Sequence, residues 1–411
     1  MPSKAQASFQ VLSFDTGDVD VREYKKRRMH KKVKSGCLMC REKRVKCDEG
    51  KPTCARCERN DRECIYEDPE KSNIQPLSAV TLMPFSLPES KDGTPTTHLM
   101  IHLDRHWGDI LPLGRHDAIM AMFQSSEMLR STMLAVAACH MRHVVTENLQ
   151  HRIAEHFQQG VAIEHYRKAL ATPIPVLGQD GVNKLIISAS FLNMVNFSLP
   201  GVEASDPMTS WVFSDKDDRL GWFSLQAGLR PLMRQLMGYQ ERTFSFIGTL
   251  FWGNKHHQAV REMIHRPVAI PPLWQATLGV DGPVMSCDHP AGADDEAVLQ
   301  PALTMLSRLH EPDHAKADAS IYLQFLGKTS AQFTGLLKKQ DERAYWILGY
   351  WLGLMWNSTA SWWCHARARR DYEAIRIWLK RRNLDQRPGE EGIRWGAMMC
   401  EYESVITQWT W

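Results

Sequence analysis

Six cysteines fall between positions 37 and 64, as Cys37-Leu-Met-Cys40, six residues, Cys47, six residues, Cys54-Ala-Arg-Cys57, six residues, Cys64. The pattern C-x2-C-x6-C therefore occurs twice, with six residues joining the copies. Thiolates bind zinc at about 2.3 Å in a tetrahedral shell, and a two-residue gap lets neighbouring thiolates chelate one ion. Six thiolates can fill one four-ligand shell with two left over, or two shells if two of them bridge both metals. Each half offers the same three ligands, and that repeat favours the second arrangement. A purely structural site or a thiolate metal store would not need the basic stretch set inside the repeat.

The halves differ in charge. Arg41, Glu42, Lys43, Arg44, Val45 and Lys46 separate Cys40 from Cys47, four bases to one acid. Glu58, Arg59, Asn60, Asp61, Arg62 and Glu63 separate Cys57 from Cys64, three acids to two bases. A polyanion is therefore expected against the first half. The whole chain has a formal charge of +3, but residues 21–67 carry sixteen Lys and Arg against eight Asp and Glu, so the remainder is net acidic. Lys25, Lys26, Arg27, Arg28, Lys31, Lys32 and Lys34 form a dense run beside the cysteines. Such a run suits phosphate contact, nuclear import, or both.

The spacing, together with Arg41-Glu-Lys43-Arg44-Val-Lys46-Cys47-Asp48-Glu49 and Lys51-Pro52, resembles the fungal Zn(II)2Cys6 binuclear zinc cluster transcription factors. His30-Lys31-Lys32-Val33-Lys34-Ser35-Gly36 looks most like the sterol-regulator branch. The resemblance implies two Zn2+ ions, with Cys37 and Cys54 bridging, Cys40 and Cys47 completing one shell, and Cys57 and Cys64 the other. It also implies that Arg41, Lys43, Arg44 and Lys46 meet double-stranded DNA, reading CGG-like triplets, and that Pro52 turns the loop between the halves. Expected from it are a nuclear location, regulation of RNA polymerase II transcription of a metabolic or biosynthetic gene set, and contact with the transcription machinery. Many members place a coiled coil directly after the cluster. Here Pro69, Pro76, Pro84, Pro88 and Pro95 exclude one, so pairing as a homodimer would fall to the helical region.

Two other chemical signals are weaker. His310-Glu311-Pro312-Asp313-His314 matches the H-E-x-x-H string of zinc proteases, but Pro312 breaks the helix that motif needs. A zinc-dependent hydrolase is thus a distant third reading. The histidines at 151, 156, 256 and 257 lack a matching acid or cysteine arrangement. Neither a phosphate-cradling glycine loop nor a nucleophile elbow is present, and no catalytic residue is assigned.

The elements that must carry these residues follow from texture and length. At 411 residues the chain holds material for two or three folding units. Residues 1–24 read as a disordered tail, 25–36 as a basic segment, 37–64 as the binuclear cluster and 65–97 as a proline-rich linker. Residues 98–411 read as a large all-α regulatory domain, so the fold class is mostly α. Apolar residues recur at helical spacing over 116–145, 149–170, 184–199, 211–236 and 243–264. Residues 266–290, with five prolines, read as a loop, and the helical pattern resumes near Ala315. Cys139, Cys287, Cys364 and Cys400 sit among apolar neighbours and read as buried free thiols of a reducing compartment.

Ala344 to Cys364 has no charged residue in 21 positions, yet its Asn, Ser and Thr make it too polar for a good membrane span. It reads as a buried helix, and no membrane partner is expected. Aromatic stripes usually fill cores. The resemblance to sterol-sensing regulators adds a second reading, in which Trp346, Trp351, Trp356, Trp362 and Trp363 line an apolar ligand pocket and the helical domain is primarily a receptor. Gly349 and Gly353 would let another helix approach closely.

Overall fold

The computed structural model describes residues 37, 40, 43, 45–51, 53–60, 64, 87–111, 115–199, 205–223, 232–233, 235–251, 262, 266–281, 294–310, 319–357 and 361–406. They belong to two compact units, Met1–Met83 and Pro84–Trp411. Helices account for the regular structure in both, and no strand occurs among the described residues. None of the described helices is long and apolar enough to cross a membrane.

The first unit is organised by its cysteines, because its described residues contain hardly any other buried side chain. Its helix α1 (Ala55–Arg59) is a little over one turn, too short to persist without tertiary support.

The second unit starts before the boundary that proline content suggests. Residues 87–97 are bonded onto the helical body rather than free of it. The Pro88 carbonyl accepts from Thr96 Oγ1 at 2.8 Å and from Gln158 Nε2 at 3.3 Å, and the Thr94 N–H donates to the Gln150 carbonyl at 3.1 Å. Proline forbids a helix here but not a docked extended strap. Helix α2 (Thr96–Arg105) begins directly after Pro95, and the single turn α3 (Trp107–Ile110) follows.

The helix expected over 116–145 is divided. Ser126 is extended between α4 (His116–Ser125) and α5 (Glu127–Val144), and its hydroxyl caps α5 by accepting from the Leu129 N–H at 3.3 Å. Asn148 likewise caps α6 (Leu149–Leu170). Helix α7 (Ile174–Phe197) starts ten residues earlier than its apolar pattern suggests, with a kink where Gly178 takes φ 60°. Arg142 holds these three helices together. Its guanidinium is buried, pairs with Glu155 of α6, and donates to Ser198 Oγ and the Leu199 carbonyl at 3.1 Å each, just past α7.

Three expectations fail further on. Trp211 does not open a long helix; it lies in a 3-10 turn, Trp211–Phe213. Buried Asp371 fixes that turn by accepting from Ser210 Oγ at 2.8 Å and Trp211 Nε1 at 3.2 Å. Helix α8 (Gln240–Phe251) comes next. The segment read as a proline-rich loop contains α9 (Pro272–Leu278), because proline suits the first turn of a helix, where the missing N–H has no partner anyway. Helix α10 (Asp295–Leu309) also precedes the point where the pattern was expected to resume, and it carries Pro301 internally. Its buried run from Leu303 to Leu309 outweighs that proline.

The short helices α11 (Ala319–Tyr322) and α12 (Ala331–Lys338) lead to the aromatic core. Helices α13 (Glu342–Asn357), α14 (Trp362–Arg381) and α15 (Glu390–Ser404) build it. Tyr372 and Tyr402 stack 4.8 Å apart, and each hydroxyl donates to the other's backbone carbonyl at 3.0 Å. A Cβ on Gly349 would lie 2.2 Å from Tyr402 Oη, and one on Gly353 2.4 Å from Val405 Cγ1. The glycine face is therefore filled by this chain's own α14 and α15 side. Cys139 and Cys364 are buried thiols as expected, but Cys400 is exposed, and Cys287 lies outside the described residues.

Candidate metal centre and nucleic-acid interface

Cys37, Cys40, Cys54 and Cys57 are buried and place their sulfurs within 4.8 Å of one another. Cys37 Sγ is 3.8 Å from Cys54 Sγ and 3.7 Å from Cys57 Sγ, and Cys40 Sγ is 3.8 Å from Cys54 Sγ. Sulfurs at about 2.3 Å from a tetrahedral zinc are about 3.8 Å apart along each edge. The spacing suits ligands around a metal, and it is far longer than a disulfide bond. Cys47 is half-buried beside this group, with its sulfur near those of Cys54 and the Asp48 carboxylate. Cys64, also half-buried, closes the far end by accepting the Cys54 N–H at 3.2 Å.

Backbone amides surround these sulfurs. The Cys57 N–H donates to Cys54 Sγ at 3.4 Å, and the Glu49 N–H to Cys47 Sγ at 3.4 Å. The amide of Cys57 holds the Cys54 thiol below its ordinary range, and the amide of Cys54 does the same for Cys64. Burial works the other way at Cys40, pushing it up to about 12. Clustered thiolates with amide donors are a chemically coherent set only beside a cation, which deprotonates coordinating thiols outright. The donor set fits zinc.

Asp48 is the residue that sequence reasoning quoted without assigning it a task. Its Oδ2 accepts the Ala55 N–H at 3.0 Å, so an acid from the segment joining the halves holds the first amide of the second half's helix. That amide, with others of the same turn, holds its carboxyl below the usual range. Glu49 beside it takes φ 60°, the left-handed conformation that turns the chain toward α1. Nothing in a linear reading ties position 48 to position 55.

Residues 35–73 match the family described as the fungal Zn(2)-Cys(6) binuclear cluster domain. This segment is a binuclear zinc cluster domain. It binds two zinc ions. The chain is 35% identical over 79 residues to the Zn(2)-C6 fungal-type transcription factor afumD of Aspergillus fumigatus, covering 19% of this chain and 21% of that protein. It is 54% identical over 44 residues to the transcription factor lfc1 of Flammulina velutipes, covering 11% of this chain and 16% of that protein. Sterol uptake control protein 2 of Saccharomyces cerevisiae is 38% identical over 65 residues, covering 16% of this chain and 7% of that protein. The matches thus span about a fifth or less of each relative, and the relatives bear the names of regulators rather than enzymes. No solved structure matches the chain.

Of the expected DNA-facing residues, Lys43 and Lys46 are exposed beside the cluster. Arg41, Arg44 and Pro52 lie outside the described residues, as do Lys25, Lys26, Arg27, Arg28, Lys31, Lys32 and Lys34. Trp346 and Trp351 are fully buried, and their indoles donate to the carbonyls of Met398 at 3.0 Å and Tyr322 at 2.8 Å. Trp356 and Trp363 pack against the edge of the same core, whereas Trp362 donates to the Ile110 carbonyl at 3.2 Å and meets His140 of α5 edge-to-face, with His143 tilted beside it. His310 caps α10 and pairs with Tyr350 Oη at 2.6 Å; Glu311 and His314 lie outside the described residues.

Proposed function

We propose that this chain is a nuclear, sequence-specific DNA-binding regulator of RNA polymerase II transcription. The observation that carries the reading is the pair of exposed lysines, Lys43 and Lys46, set between metal-ligating Cys40 and Cys47. Zinc supplies the fold of so small a unit, and the unit's own side chains do the reading. Lysine donors at Lys43 and Lys46, with Arg41 and Arg44 from the same stretch, suit the N7 and O6 acceptors of guanine in the major groove, hence CGG-like triplets. The basic run from Lys25 to Lys34 adds phosphate contacts, which raise affinity without sequence choice.

Within that reading, Cys37 and Cys54 bridge the two ions. Their mutual contact, with Cys57 against Cys37 and Cys40 against Cys54, supports a shared edge between two shells. The helical body then carries regulation and contact with the transcription machinery, over a metabolic or biosynthetic gene set. Selection of bound duplexes from a random pool by the full chain tests the proposal. Enrichment of a CGG-containing motif is the expected result; recovery of unbiased sequence would overturn it.

A further inference from the structure

Helix α2 is fastened to the helical body in part by a pair of histidines. His102 on α2 and His140 on α5 face each other, with Nε2 and Nδ1 2.8 Å apart. Two neutral imidazoles can share one hydrogen in this way, the N–H on one ring and the lone pair on the other. Two imidazoliums cannot, because both facing nitrogens then carry N–H groups. His140 is buried and His102 half-buried. Trp362 of α14 covers His140 edge-to-face, with ring centroids 4.8 Å apart.

The surroundings give added positive charge little relief. The rings of His106 and His143 lie 6.4 and 6.3 Å from that of His140, and His106 is 4.6 Å from His102. Beyond them, His151 of α6 faces His102, while Arg142 of α5 and His365 of α14 face His143. Among the described residues one carboxylate faces the pair, that of Asp109 on α3. It is largely exposed and already meets His106 Nδ1 at 3.1 Å. Asp104 of α2 is taken by His116 of α4 at 3.1 Å, and Glu155 by Arg142.

We propose that His102 and His140 form an acid-sensitive latch, which holds α2 on α5 while neutral and releases it when protonated. Burial holds both histidines down to about 4, and their histidine neighbours add to the effect. Freed by opening, each returns to about 6.5. Between those values the open form binds more protons than the closed one. The latch is therefore closed above about pH 6.5 and weakens as the pH falls toward about 4. Thr96 of α2 also bonds the Pro88 carbonyl, so the strap of residues 87–97 loosens with the helix. Opening thus adds residues to the stretch of chain that joins the two units. The device lies within the helical body and does not depend on what the cysteine unit binds.

The test is hydrogen exchange of the full, zinc-loaded chain, read by mass spectrometry at about pH 7.5 and about pH 5.5 and corrected for intrinsic exchange rates. Protection of α2 should fall by about 10-fold for one titrating histidine and about 100-fold for both, while α13 keeps its protection. His102→Gln and His140→Gln each keep a polar side chain that cannot titrate, so each should remove about a tenfold share of that fall. His102 is only half-buried, so its replacement leaves the core filled even if His140→Gln does not fold. Equal protection of α2 at the two pH values, a fall undiminished in His102→Gln, or a fall shared by α13 would overturn the proposal.

Discussion

Cys37 Sγ and Cys54 Sγ lie 3.8 Å apart although 17 positions separate them in the chain. Each comes from the start of one copy of the repeat, and both are fully buried. That contact brings the two three-ligand halves together. If the pair bridges, Cys54→Ser disturbs both shells, whereas Cys64→Ser disturbs one. Native mass spectrometry should find both ions lost or labile in the first variant and one retained in the second. Retention of one firmly held ion in Cys54→Ser would contradict bridging.

Lys43 is exposed beside the cluster, and the proposed function gives it a base contact. Lys43→Ala should weaken binding to the preferred site by about 1–3 kcal/mol, the scale of one lost base contact, and weaken random duplexes much less. Fluorescence anisotropy at fixed salt measures both. Equal weakening would reduce Lys43 to a phosphate contact.

Arg142 and Glu155 form the buried ion pair between α5 and α6. Removing one partner strands the other charge. Glu155→Ala should cost about 3–5 kcal/mol of stability, whereas replacing both residues with apolar side chains of similar volume should cost much less. Urea denaturation followed by circular dichroism distinguishes the single from the double variant.

Gly349 has no room for a methyl group beside Tyr402 and Ile375. Both neighbours are buried, and Tyr402 is held by its carbonyl bond to Tyr372, so neither can yield cheaply. Gly349→Ala should destabilise the body by about 1–3 kcal/mol through overpacking. A neutral effect in thermal melts would show that α15 is free to shift.

Much of this was legible in the cysteine spacing, because metal ligation demands particular residues at particular intervals. Helical texture in the body was legible too, as α6 shows, running from Leu149 to Leu170 as its periodicity implies. The two helices missed near prolines share a cause. Pro272 counts toward a loop over 266–290, but it sits where a helix needs no N–H, and α10 carries Pro301 because burial offsets it. Asp48 and Ala55, or His102 and His140, meet only through tertiary folding. Their pairing leaves no local signal.

The most direct measurement is a titration of the full chain against a duplex carrying a CGG triplet and against a scrambled duplex, at one fixed salt concentration, with zinc present and after chelation. The account predicts that the zinc-loaded chain prefers the CGG duplex by about 10³-fold or more. Chelation should abolish the preference and leave only weak, salt-sensitive binding from the basic run. Equal affinity for the two duplexes, or a preference that survives removal of zinc, would contradict it.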